Sequence, residues 1–139
     1  METIGQVTDL RTGPGPEILA ASDIQRRPWR PVAGCGGVRI KELSRSSGCV
    51  HALIMVEPGS ATPGKPHRGA CHHIWVLSGD AQVAGRPAGA GSYVYVPAGA
   101  AHPIAAAGAT PCVVLQAHHL LQAHHIVGGE LPSWTWDGR

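Results

Sequence analysis

Charge is scarce in this chain. Asp, Glu, Lys and Arg make up 14% of its 139 residues, and the formal net charge is +2. No run of basic residues interrupts it, which excludes a nucleic-acid surface or an electrostatically held membrane face. Aromatic residues are 4% and phenylalanine is absent, a gap without functional meaning. Every long apolar stretch is broken by Pro, Gly or His, so none can cross a bilayer. Met1 to Leu10 carries Glu2 and Asp9 in place of a basic-then-apolar leader, and a cytoplasmic protein is expected. The four cysteines (Cys35, Cys49, Cys71, Cys112) form no CxxC pair. Free thiols in a reducing compartment are expected of them, and no disulfide framework. A surface with so little mutual repulsion favours self-association, and a homodimer is expected.

What the chain does hold is apolar bulk and turns. Hydrophobic residues are 43%, with 19 Gly and 12 Pro scattered between short apolar runs. That pattern predicts an all-β sandwich or barrel in one domain. Strands are expected over Val38 to Leu43, Cys49 to Val56, His73 to Leu77, Ala81 to Ala84, Ser92 to Val96 and Cys112 to Leu115. Turns fall at Pro58-Gly59, Ser78-Gly79-Asp80 and Pro97-Ala98-Gly99. Trp29, between Pro28 and Pro31, sits in extended chain. Ile18 to Ala21 reads as a short strand or a turn of helix. Residues 1–28 are taken as an extension, 29–127 as the domain and 128–139 as a tail. Trp134 and Trp136 alternate with polar residues and are expected to pack in a core or a subunit interface.

Histidine is the residue with chemistry to offer, at nine copies. Gln116-Ala117-His118-His119 recurs as Gln122-Ala123-His124-His125. The four doubled histidines read as surface or interface residues in preference to a metal-binding tract. His72 and His73 are adjacent, so only one of them can face a sandwich interior. Both alternation classes are apolar there (Ile74 and Val76, or Trp75 and Leu77), and period alone leaves the choice open.

Two segments resemble the paired motifs of the cupin superfamily. Gly59 opens the first and Gly79 closes it; the motif's two histidines fall on Lys65 and His67, and its glutamate on His72. Gly91, Pro97, Gly99 and His102 satisfy the second in register, with Ala106 where the motif has Asn. The stretch from Trp29 to Leu115 is similar to ChrR-type zinc cupins, through Trp29-Arg30-Pro31, Pro58-Gly59, Val76-Leu77-Ser78-Gly79 and Gly91-Ser92-Tyr93. The resemblance implies a jelly-roll sandwich with His67, His72 and His102 as metal ligands. The count back from Gly79 favours His72 over His73. Lys65 replaces a ligand and is expected to sit at the pocket as a cation for an acidic or enolate substrate. His51, on the preceding strand, is a substitute ligand or, preferentially, a hydrogen-bonded strand histidine.

An all-imidazole shell favours a divalent transition metal, iron(II) or zinc before nickel or copper, over calcium or magnesium. Three such ligands leave positions open for substrate or water. Occupancy is expected to fall as pH drops near 6 to 7, about the unperturbed histidine pKa. The resemblance implies a metal-dependent enzyme acting on a small organic molecule, by dioxygenase chemistry first. A zinc-dependent polyketide cyclase, isomerase or lyase is the alternative within that class. A non-catalytic metal- or ligand-binding sensor is the alternative outside it.

Overall fold

The computed structural model describes residues 15–121. One short helix, α1 (Ala21–Arg26), precedes nine strands. These are β1 (Arg30–Val32), β2 (Cys35–Ser46), β3 (Cys49–Val56), β4 (Ala70–Ser78), β5 (Asp80–Val83), β6 (Arg86–Gly89), β7 (Tyr93–Val96), β8 (Ile104–Ala106) and β9 (Cys112–Leu120). Six strands form one antiparallel sheet in the order β1-β2-β3-β9-β4-β7, and three form a second, β6-β5-β8. Among the described residues no helix is long and apolar enough to cross a membrane.

Alternation decides which side chains meet between the sheets. Val38 and Ile40 on β2, Ile54 and Val56 on β3, Ile74 and Val76 on β4 and Val114 on β9 share one core with Ala81, Val83, Ala88 and Ile104 of the small sheet. The odd-numbered residues of β3, β4 and β9 take the other face of the large sheet. Lys41 lies on that face and is nonetheless buried. Its Nζ donates to the Ile24 carbonyl at 2.8 Å and stands 4.9 Å from the Trp29 ring, so the helix and the Trp-Pro segment cover the ammonium without stranding it.

The six expected strands are all present, Cys49–Val56 with the expected ends and the others with shifted ones. β1, β6 and β8 carry no alternation a sequence reader can use, being short and rich in Pro, Gly and Ala (Arg-Pro-Val, Arg-Pro-Ala-Gly and Ile-Ala-Ala). Ile18 to Ala21 makes no strand; the turn of helix begins at Ala21. β9 runs five residues beyond Leu115, to Leu120, and carries the first Gln-Ala-His-His copy into the sheet. The second copy, with His124 and His125, lies outside the described residues, as do Trp134 and Trp136.

Candidate metal centre

Two loops bring histidines to the open end of the sandwich, and each loop holds the other. The His102 amide donates to the Gly64 carbonyl at 2.8 Å, and the Gly99 amide to the His67 carbonyl at 2.9 Å. Thr62 clasps Ile104 twice: its amide donates to the Ile104 carbonyl, and its Oγ1 accepts from the Ile104 amide, both at 2.9 Å. Thr62 is 4% exposed, so this clasp is internal to the fold. Gly64 sits at φ +56°, and a Cβ there would lie 2.1 Å from the Pro103 nitrogen. Only glycine lets the two loops cross this closely.

Between those loops and the large sheet, four imidazoles converge. His72 on β4 and His118 on β9 are cross-strand partners on the inner face. His67 comes from the loop before β4 and His102 from the loop before β8. Ring centroids are 4.2 Å apart for His72 and His102, 4.6 Å for His72 and His118, and 5.2 Å from His67 to both His72 and His118. His67, His72 and His118 each offer a ring nitrogen within 4.8 Å of the others. His102 packs against His72 with the two rings tilted by 32°.

His72, His102 and His118 are each 2% exposed, yet their rings are only half satisfied. His118 Nδ1 and His72 Nε2 lie 2.7 Å apart and share one proton. His102 Nδ1 must carry a hydrogen, because its partner at 3.2 Å is the Ala100 carbonyl, which can only accept. That leaves His102 Nε2 as a bare lone pair. Among the described residues, His72 Nδ1, His102 Nε2 and His118 Nε2 are buried without a hydrogen-bond partner. A buried polar atom left unpaired costs about 1–3 kcal/mol. With both rings neutral, one of His72 Nδ1 and His118 Nε2 bears a hydrogen and the other a lone pair, so the His72–His118 hydrogen bond must open for both rings to ligate one ion.

The electrostatics keep these nitrogens available. Burial, reinforced by His102, His118, His67 and His73, lowers the His72 pKa to about 2. Burial, with His67, His102, His119 and Arg45 adding to it, lowers His118 to about 4. Burial lowers His67, and it lowers His102 against the opposing Ala100 hydrogen bond. All four imidazoles are therefore neutral near pH 7, the state that ligates. No carboxylate joins the candidate groups among the described residues, which disfavours calcium and magnesium.

The structure brings together His67, His72 and His102, the three residues marked by the motif registers. It also settles the adjacent pair: His72 points inward, and His73 points to the opposite face against Tyr93 and Trp75. One expectation is corrected. His118 is a buried member of the cluster, where a surface or interface residue was expected. The signal was available: extending the alternation of Cys112, Val114 and Gln116 by one step puts His118 inside. His51 is the hydrogen-bonded strand histidine expected of it in preference to a substitute ligand. It sits beside Cys49 on the outer face of β3, with Cys49 Sγ 3.3 Å from its Nδ1. Lys65 is exposed on the loop between Gly64 and His67.

A model of the ChrR cupin-like domain matches residues 19–122. The chain belongs to the ChrR cupin-like family. Solved structures agree on this cupin's fold. A predicted oxalate decarboxylase from Thermotoga maritima is 22% identical with a TM-score of 0.64, covering 76% of this chain and 100% of that one. A putative sugar phosphate isomerase from Acidithiobacillus ferrooxidans is 25% identical with a TM-score of 0.60, covering 75% of each chain. The cupin domain of an XRE family transcriptional regulator from Enterobacter cloacae is 20% identical with a TM-score of 0.55, covering 62% of this chain and 99% of that one. No curated protein matches the sequence.

Proposed function

We propose that this cupin is a metal-dependent enzyme acting on a small organic substrate at an all-histidine centre. His67, His72 and His118 would hold the ion, with His102 as a fourth ligand or as the imidazole that closes the site. The observation that carries this reading is the convergence of His67, His72 and His118, each offering a ring nitrogen within 4.8 Å of the others. The ion is a divalent transition metal, iron(II) or zinc foremost, since the donors are neutral nitrogens. When bound, it supplies either oxygen activation or Lewis-acid polarisation of a carbonyl.

The chain's own residues do the rest. The clasped loops orient His67 and His102, and the Ala100 carbonyl fixes the His102 tautomer that leaves Nε2 as the lone pair. Val50, Ile74 and Ile104, each at most 1% exposed, exclude water from the inner side. His67, less buried than the other three, marks the approach for substrate. Lys65 on the same loop would attract an acidic or enolate substrate to it.

Dioxygenase chemistry is the leading reaction, on the resemblance to three-histidine cupins. Isomerase or lyase chemistry, with the metal stabilising an enolate, is favoured by the putative sugar phosphate isomerase among the similar structures. Iron(II)- and zinc-loaded protein incubated with a panel of 1,3-dicarbonyl and 2-hydroxy-ketone compounds separates the two. Oxygen uptake marks the first. Solvent deuterium entering the substrate without oxygen uptake marks the second. Neither signal from fully loaded protein would leave a metal-holding sensor as the better account.

A further inference from the structure

The outer face of the large sheet carries a second constellation, on the opposite side from the histidine cavity. Cys49 on β3 and His119 on β9 are cross-strand partners, and His51 lies two residues along β3 on the same face. Cys49 Sγ is 3.3 Å from His51 Nδ1 and 3.5 Å from His119 Nε2. The two imidazoles meet edge to face with centroids 5.8 Å apart. One ligand atom from each of the three lies within 4.8 Å of the others. For a thiolate at about 2.3 Å and an imidazole at about 2.0–2.1 Å from one tetrahedral ion, the sulfur–nitrogen edge is roughly 3.5 Å. Both sulfur–nitrogen distances fit that edge before any ion is present.

We propose that Cys49, His51 and His119 form a second site for a divalent transition metal of zinc type, independent of the histidine cavity. One thiolate and two imidazoles suit zinc, and among the described residues no carboxylate joins them to favour calcium or magnesium. All three residues are half-buried, so the fourth position faces solvent and takes water or an outside ligand. The strand period is what separates the two sites. On β9, His118 turns inward to the cavity and His119 outward to Cys49. The adjacent doublet thus serves both faces of one sheet, and loss of either ion leaves the other's ligands in place. Cys71 and His73 lie on the far side of His119 on β4, with Sγ 3.9 Å from the His73 Nε2. That spacing is wider than the Cys49 contacts, and Cys71 serves as the control.

Cobalt(II) added to the chelator-stripped full-length protein tests this, because only a thiolate ligand gives an intense near-ultraviolet charge-transfer band. Two cobalt ions per chain and that band are expected. Cys49→Ser and His119→Ala should each lose the band and one cobalt, with the cobalt of the histidine cavity retained. Should Cys49→Ser fail to fold, His51→Gln carries the same reading. His118→Ala should keep the band, and Cys71→Ser should keep it as well. Absence of the band in the wild type, its survival in Cys49→Ser or its loss in Cys71→Ser would each overturn the proposal. The pair Cys49–His51 would then be a thiol–imidazole hydrogen bond and nothing more.

Discussion

Single histidines carry the chemistry here, and adjacent ones carry opposite roles. His72 and His118 are inner-face partners, while His73 and His119 sit one residue along and face away. His118→Ala removes a nitrogen from the trio whose donors lie within 4.8 Å, so it should empty the cavity of metal as fully as His72→Ala. His102→Ala should weaken binding and lower occupancy, since its Nε2 is buried and unpartnered and its ring lies 4.2 Å from that of His72. His73→Ala should leave that occupancy intact. Elemental analysis of the four purified variants checks this. A His118→Ala protein with full metal would remove that residue from the site. The motif registers place His67, His72 and His102, since those positions lie at fixed counts from glycines. They say nothing of His118, whose place depends on β9 continuing past its apolar run.

At the scale of elements, the site depends on two loops that cross. Gly64 is where they touch, and a Cβ there would overlap the backbone of residues 102 and 103. Gly64→Ala should therefore push the His102 loop outward and break the Gly64–His102 backbone bond. The strained φ adds about 1–2 kcal/mol to that clash. The expected result is a destabilised protein whose metal affinity falls at least about tenfold, the usual lower range when the groups orienting a ligand are lost. Urea unfolding with metal titration reads both effects, and an unchanged affinity would show that the loops are held by other means. Gly79 plays a comparable part at the far end of β4, where a Cβ would meet the Pro111 carbonyl at 2.5 Å. A reader of the sequence sees these glycines as turn signals. The neighbour that forbids a side chain comes from a segment tens of residues away.

For the whole molecule, the buried histidines set the response to acid. Their folded pKa values lie below the ordinary 6.5, to about 4 for His118 and about 2 for His72. The unfolded chain therefore takes up protons first as pH falls through about 6.5, and stability drops as pH decreases from there toward 4. Each histidine contributes a slope of up to about 1.4 kcal/mol per pH unit in that window. Denaturant unfolding of metal-free protein across that range should show the loss, and His118→Ala should show a shallower one. For the same reason the metal should be retained to a lower pH than the 6 to 7 expected of unperturbed histidines. The same scale governs assembly. Trp75, Leu77, Tyr93 and Tyr95 are exposed on β4 and β7, and charge is sparse. We propose a homodimer on these grounds, and sedimentation showing only monomer at about tens of micromolar, well above ordinary dimer constants, would refute it.

The sequence by itself determined the all-β class, six of the nine strands, the single set of turns and three of the four clustered histidines. These follow from local rules: apolar alternation, Pro and Gly at turns, and motif residues at fixed spacings. Tertiary structure decided that β9 continues past Leu115 to Leu120, and with it which faces His118 and His119 take. That choice depends on register, and a one-residue slip would exchange His72 for His73 and His118 for His119. Tertiary structure also decided that Cys49, His51 and His119 meet. Residues 51 and 119 are far apart along the chain, and only the pairing of β3 with β9 makes them neighbours.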